Sequence, residues 1–407
     1  MVKHILADNP TDLVAGVDTH TDTHTLAVLT AQGQTVMTET FTADAHGYTS
    51  LIGALHAAGT VAVVGVEGTN SYGAGLTRAL AATGFRVAEV LRPTRQVRRM
   101  NGKSDPIDAI EAARSVLAGH GLSVAKDTTT PVEALRFLLT ARNRLVAAAT
   151  SIGNSITSLL VTAPEPVRDK YRGLRTPALV KALSASRPTG PVDTPETAAP
   201  LALRTLARAH QEATAKADDL EEQMHTVLAE HYPGLLAVYG AGPIVAAQLA
   251  VTAGGNPERI RNEAAFASLC GAAPIPASSG RTNRHRLNRG GDRRGNNALH
   301  RITLVRMQHD QRTQDYVARR TREGKSTTET MRCLKRAICR EIYRALTTEY
   351  APQARPDFRS LRKARNLTLT DVAQALNTWP ARISDIERER RPLTELTSRY
   401  EQWLTAA

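Results

Sequence analysis

Cysteine is scarce in this chain. The 407 residues hold three, Cys270, Cys333 and Cys339, an odd number without zinc-ligand spacing, so nothing points to a disulfide framework and a reducing compartment suits them. Long apolar runs are missing as well. None reaches the roughly 20 residues that cross a bilayer, and the N-terminal MVKHILADNP lacks a signal-peptide core, so the chain is expected to stay in the cytoplasm and off the membrane. No short-period repeat is present. Acids are outnumbered, 39 against 52 Lys and Arg, and the resulting charge of +13 favours a polyanionic partner, nucleic acid ahead of a membrane surface. What is abundant is ordinary: 42% hydrophobic residues suffice for packed cores, and the length suits two or three domains.

Residues 12 to 120 alternate β-rich runs with helical patterns: DLVAGVD, HTLAVLT, QTVMTETF, a helix from about His46, VAVVGVE, a helix after Ser71, then FRVAEV. That order predicts three antiparallel strands followed by strands alternating with helices, an α/β sheet domain. From about 131 to 230 the pattern is helical, two long segments flanking RPTGPVDTPETAAP. They would form an arm or coiled-coil hairpin, or else a plain bundle. Residues 233 to 345 read as a further, mostly helical unit interrupted by a Gly, Ser and Arg-rich loop, whose length is unusual unless it binds something. The expected division is 1–125, an α/β catalytic domain; 126–232, a helical arm; 233–350, a mainly helical domain bearing the loop; and 357–407, a small helical tail.

The carboxylates carry the chemistry. Asp18 ends LVAGVD and Glu67 ends VAVVGVE, both at strand termini, where a sheet presents ligands. In KSDPIDA, Asp105 is expected to cap a helix whose first position is Pro106, with Asp108 three residues on along the same face. Hard oxygen ligands so grouped suit Mg2+, with Mn2+ as the alternative, and two such ions serve phosphoryl transfer. Singly, each acid has a plainer use: Asp18 closing a turn, Glu67 or Asp105 capping a helix. Jointly they resemble the ribonuclease H-like fold of Holliday-junction resolvases, in which acids on strand one, strand four and the final helix build a two-metal site. Within GVDTHTDTHT, that resemblance makes Asp18 the catalytic carboxylate and THTDT a turn. The alternative is a zinc or manganese strand using Asp18, His20, Asp22 and His24, although four ligands on one short strand cannot easily enclose an ion.

Further on, YGAGPIVAAQLAVTAGG has the look of a helix-hairpin-helix presenting backbone N–H groups to phosphate, or of a simple helix pair. It is followed by GAAPIPASSGRTNRHRLNRGGDRRGNNALHR. Eight arginines lie between Arg281 and Arg306 against one acid, Asp292, a density that implies salt-dependent phosphate contacts. Arg281, Arg284, Arg286, Arg289, Arg293 and Arg294 are the nucleic-acid-binding candidates. Ser278 and Ser279 precede Gly280 at the head of this loop. Serine beside guanidinium groups can attack a DNA phosphate, whereas Ser-Ser-Gly alone is ordinarily a flexible turn.

GVDTH, VGVEGTNSYG, KSDPIDA, GAGPIVAA and GAAPIPASSG with RRGNNALHR stand here in the order found in one transposase family. From about residue 12 to 345 the chain strongly resembles the one-ten insertion-sequence family, the bridge-RNA-guided DNA recombinases. The resemblance implies a resolvase-like domain joined by a helical arm to a serine-bearing transposase domain, acting on donor and target DNA with a structured noncoding guide RNA. It implies that Asp18, Glu67, Asp105 and Asp108 bind Mg2+, and that Ser279, with Ser278 as fallback, forms a covalent phosphoserine link to DNA. It also implies a composite site in a homo-oligomer, dimer or tetramer, associated with the nucleoid. Relatives often have Lys where this chain has Thr21 and Gly where it has Asn70; neither departure removes a carboxylate.

The tail lies beyond the shared core. LRKARNLTLTDVAQALNTWPARISDIERERRPL resembles a phage-repressor helix-turn-helix, with Leu369, Val372, Ala373 and Leu376 as its buried stripe and Arg382 and Ser384 as groove contacts. A protein-docking module is the competing reading. For the whole chain, the alternatives to a recombinase are a junction nuclease acting by hydrolysis and a nonenzymatic DNA-binding regulator.

Overall fold

A computed structural model describes residues 12–91, 104–276, 285–286, 288, 290–350, 357–388 and 394–406. The chain divides into two compact units, one within Met1–Thr130 plus Gly254–Arg259, the other within Pro131–Ala253 and Ile260–Ala407.

The first unit is a six-stranded sheet ordered β3-β2-β1-β4-β5-β6, with β1 Leu13–Thr19, β2 Thr23–Leu29, β3 Thr35–Thr42, β4 Val61–Glu67, β5 Val87–Val90 and β6 Leu122–Val124. As expected, β1, β2 and β3 run antiparallel and β4 and β5 join β1 in parallel. The short edge strand β6 pairs antiparallel to β5. Because successive side chains point to opposite faces, Ala15, Val17, Val64 and Val66 pack against α1 (Ala45–Ala58) and α2 (Ala74–Ala82). The alternate positions Val14 and Val63 pack on the other face against Ala113 and Val116 of α3 (Asp105–Ala118). Coverage on both sides explains why LVAGVD is buried almost throughout.

Two glycines set how closely α3 lies. A Cβ on Gly16 would come 2.2 Å from the Ala113 nitrogen and 2.3 Å from the Ala109 oxygen, and one on Gly65 would meet Val116 at 2.5 Å. Small residues on both sides, Gly16 and Gly65 below and Ala109, Ala112 and Ala113 above, let helix backbone approach strand backbone. Asn256 belongs to this unit: its side chain donates to the Ala125 carbonyl at 3.0 Å and accepts from the Asp127 N–H at 3.0 Å.

In the second unit, α4 (Pro131–Thr162) and α7 (Pro195–His231) pack antiparallel, with Arg142 paired to Glu221 and Gly153 beside His210. Helix α7 starts inside the Pro-rich stretch, at Thr194, where Pro195 occupies a first turn that needs no N–H. Between them, α5 (Glu165–Lys170) and α6 (Thr176–Ser184) close a small core of Ile156, Leu183 and Leu203. At its other end the hairpin joins a larger core: Leu135, Leu139, Met224 and Leu228 pack with Leu249, Phe266, Leu299 and Ile338. These last come from α9 (Pro243–Ala253), α10 (Glu263–Leu269), α11 (Arg293–His309) and α13 (Thr327–Thr347); α8 (Pro233–Leu236) and α12 (Gln311–Arg322) complete the set.

Helix α4 corrects one expectation. It is long and apolar enough, by length and composition, to cross a bilayer. Hydroxyls and Asn154 interrupt the apolar run, yet Leu145 to Thr162 carries no charged side chain. Such a helix is by itself weak evidence for a membrane.

The tail has its own core of Phe358, Val372, Ala373, Leu376, Ile383, Ile386, Tyr400 and Leu404. Helices α15 (Leu369–Ala375) and α16 (Pro380–Glu387) are joined by a four-residue turn in which Asn377 takes a left-handed φ of 50°. Arg362 on α14 (Phe358–Ala364) grips Glu387 through two hydrogen bonds of 2.6 and 2.9 Å, and the Tyr400 hydroxyl of α17 (Thr394–Ala406) donates to the same carboxylate at 2.9 Å.

Candidate active site

Asp18 follows Gly16 on β1 by two residues, so its side chain stands on the face covered by α3. Glu67 stands likewise two residues beyond Gly65, and the parallel register pairing Val17 with Val66 puts the two acids at neighbouring strand ends. Helix α3 starts over that edge. Its N-cap is Ser104, so the expectation that Asp105 caps the helix is overturned: Asp105 occupies the first helical position, Pro106 the second, and its carboxylate is turned to the sheet instead. Glu67 does not cap α2 either, since that helix begins at Gly73 without a side-chain cap.

The structure adds a residue. His20, the next position of the same parity as Gly16 and Asp18, places Nε2 3.1 Å from Asp18 Oδ2 and 3.4 Å from Asp105 Oδ1. Among the described residues, the ligand atoms of Asp18, His20 and Asp105 lie within 4.8 Å of one another; Glu67 and Asp108 are outside that group. Asp108 is still near enough for its charge to act on Asp18. The parity of DTH was the available signal for His20. The other two members of the alternating run go elsewhere. Asp22 lies in an exposed turn, and His24 is wholly buried, stacked on Tyr48 with ring centroids 5.6 Å apart.

Asp18 is 6% exposed. Burial pushes its carboxyl above the ordinary range; His20 opposes that rise, while the charges of Asp108 and Asp105 add to it. Its Oδ2 is buried without a hydrogen bond, because the approach of His20, though close, does not meet hydrogen-bond geometry. A buried, undonated carboxylate oxygen beside a second carboxylate and an imidazole is a donor set that fits a divalent cation.

The second predicted site falls largely outside the described residues: Ser278, Ser279, Arg281, Arg284 and Arg289 are there. Its flanks are described. Ile275 and Pro276 pair with Arg286 and His285 in a two-residue ladder. Helix α11 then starts at Arg293, where Asp292 accepts from the N–H groups of Arg294 and Gly295 and from Thr252 Oγ1. Asp292 thus caps this helix. Arg286, Arg293 and Arg294 are exposed, whereas Arg306 turns inward to Glu341 at 2.6 Å and to the Tyr239 carbonyl. Near the GAGP turn, the first helix of the expected pair, α8, is a single turn. In the tail, Arg382 is exposed and Ser384 half-buried.

Two family profiles match. A DEDD transposase of IS110 type covers residues 15–163, and the transposase IS116/IS110/IS902 family covers 233–318. The chain belongs to this family. No curated protein matched. An IS110-family transposase is a DNA recombinase, and the acidic edge of the sheet falls within the first matched span while the arginine-rich segment falls within the second. The DEDD match over the first span suggests dependence on a divalent metal, and the cluster of Asp18, His20 and Asp105 lies within that span.

Proposed function

We propose that this transposase cuts, exchanges and rejoins DNA strands through a covalent phosphoserine, guided by a structured noncoding RNA that pairs with donor and target. The observation that carries the proposal is the convergence of Asp18 and Asp105, with Asp108 and Glu67 beside them, at one edge of the six-stranded sheet. In this reading the domains are 1–125, 126–232, 233–350 and 357–407.

Mg2+, or Mn2+, would when bound supply positive charge to offset that developing on the phosphate. The four acids Asp18, Glu67, Asp105 and Asp108 would hold it beside the scissile phosphate. Ser279, or Ser278, supplies the hydroxyl oxygen: one DNA phosphoester bond breaks as a serine phosphoester forms, and the freed strand end leaves as a hydroxyl. Attack by another strand's hydroxyl reverses the exchange, so phosphoester bonds are conserved and rejoining needs no external energy. Arg281, Arg284, Arg286, Arg289, Arg293 and Arg294 grip the backbone. Because the serine and the acids lie in separate parts of the chain, two subunits of a dimer or tetramer can compose one site. The tail acts as a helix-turn-helix, with Arg382 and Ser384 toward the groove. The place of action is the cytoplasm, at the nucleoid.

The test is covalent trapping: full-length protein with its copurifying RNA, Mg2+ and nicked donor and target DNA, resolved under denaturing conditions. A protein–DNA adduct lost in Ser279→Ala and kept in Ser278→Ala is expected. Cleavage without an adduct would favour a junction nuclease acting by hydrolysis. DNA binding with neither adduct nor cleavage, unaffected by Asp18→Ala, would favour a nonenzymatic regulator.

A further inference from the structure

We propose that His20 is a direct ligand of the cation held by Asp18 and Asp105, which makes the site a mixed oxygen and nitrogen centre. This rests on the metal reading above. Three observations converge on it. The imidazole Nε2 faces two carboxylates at once, 3.1 Å from Asp18 and 3.4 Å from Asp105, and one ring N–H cannot serve both. The contact with Asp18 Oδ2 leaves that oxygen without a hydrogen bond, although Asp18 is 6% exposed. Buried oxygens are ordinarily given a donor, so this one is turned toward something else. Finally, the separations suit a shared ion: neighbouring ligands in an octahedral shell with bonds of about 2.1 Å lie about 3.0 Å apart.

The local chain explains the arrangement. His20 is the first residue past β1, and its backbone N–H is tied to the Thr23 carbonyl at 3.0 Å, which holds the turn closed. The side chain therefore continues the parity of Gly16 and Asp18 onto the α3 face. An imidazole in the donor set has a chemical consequence: it favours Mn2+ over Mg2+, whose preference is for oxygen alone.

The experiment uses full-length protein freed of nucleic acid, with Mn2+ as the probe, read by electron spin-echo spectroscopy and by binding titration. Wild-type protein is expected to bind Mn2+ with a nitrogen modulation. In His20→Ala the modulation is lost and binding weakens roughly tenfold or more; in His20→Gln Mn2+ binds without the modulation. Since His20 is half-exposed, both variants should fold, which circular dichroism checks. Equal Mn2+ affinity in wild-type protein and His20→Ala, with binding still abolished by Asp18→Asn, would overturn the assignment and leave the metal reading standing. No Mn2+ binding by wild-type protein at all would overturn both.

Discussion

The acidic edge of the sheet and the arginine-rich segment solve opposite problems. Carboxylates that must converge repel one another and lose hydration, so they are held by rigid neighbours: Asp18 by a buried strand, Asp105 and Asp108 by a helix pressed onto that strand across Gly16. The arginines repel one another too, but Arg286, Arg293 and Arg294 stay in water, where screening makes crowding cheap. A metal site depends on fractions of an ångström, while gripping a phosphate backbone depends mainly on the sum of charge.

The sharpest way to break this contrast is Asp18→Asn. Strand cleavage should fall by on the order of a thousandfold, as several kcal/mol of charge stabilisation are lost. Thermal stability should stay level or rise, because a buried charge disfavoured by its surroundings is removed. A large drop in melting temperature would show that the carboxylate is structural.

Gly16→Ala attacks the same site without touching a ligand. The added Cβ has nowhere to go but into the α3 backbone, so overpacking should cost about 1–3 kcal/mol and separate Asp105 from Asp18. Loss of Mn2+ binding with secondary structure preserved is the expected readout. Unchanged binding would mean that the close approach is not what aligns the acids.

The tail offers a third comparison, a charge pair buried where the other acids are left for a ligand. Burial works against Glu387, yet Arg362 and the Tyr400 hydroxyl hold its carboxyl below the usual range. Its contribution is therefore present above the ordinary Glu value and lost as pH falls through the lower folded value. Both tryptophans, Trp379 and Trp403, lie in the tail, so fluorescence reports this module alone. Acid titration should shift the signal at low pH. Glu387→Gln should loosen the tail at neutral pH by about 3 kcal/mol, because Arg362 is left buried without its charge partner. An acid transition identical in wild-type protein and variant would remove Glu387 from the account.

The smallest effect belongs to a single arginine. Arg294→Ala should weaken DNA binding slightly and lower the slope of log affinity against log salt by about one. An unchanged slope would mean that this exposed guanidinium touches no phosphate.

Much of this was legible in the sequence because strand alternation is local. LVAGVD and VAVVGVE announce their strands, their acids and, in the paired Gly-Val-acid endings, their shared face. His20 was read as turn because a turn residue's direction depends on how the chain closes, which spacing alone does not state. The cap is ambiguous in sequence because Ser104 and Asp105 are both good cap residues, and spacing alone does not choose between them. The apolar reach of α4 is less legible, because polar uncharged residues interrupt an apolar run without interrupting a helix. Ser278 and Ser279 were legible only through resemblance to a family, since Ser-Ser-Gly carries no period.

The hydrogen bond from the Asp127 N–H to Asn256 joins residues 129 positions apart within one unit. During synthesis the sheet can assemble once β6 has emerged, but Asn256, which bonds Ala125 and Asp127 just past that strand, arrives about 6 to 26 seconds later at ~5–20 residues per second. A nascent chain thus carries an unfinished first unit while the helical hairpin is being made.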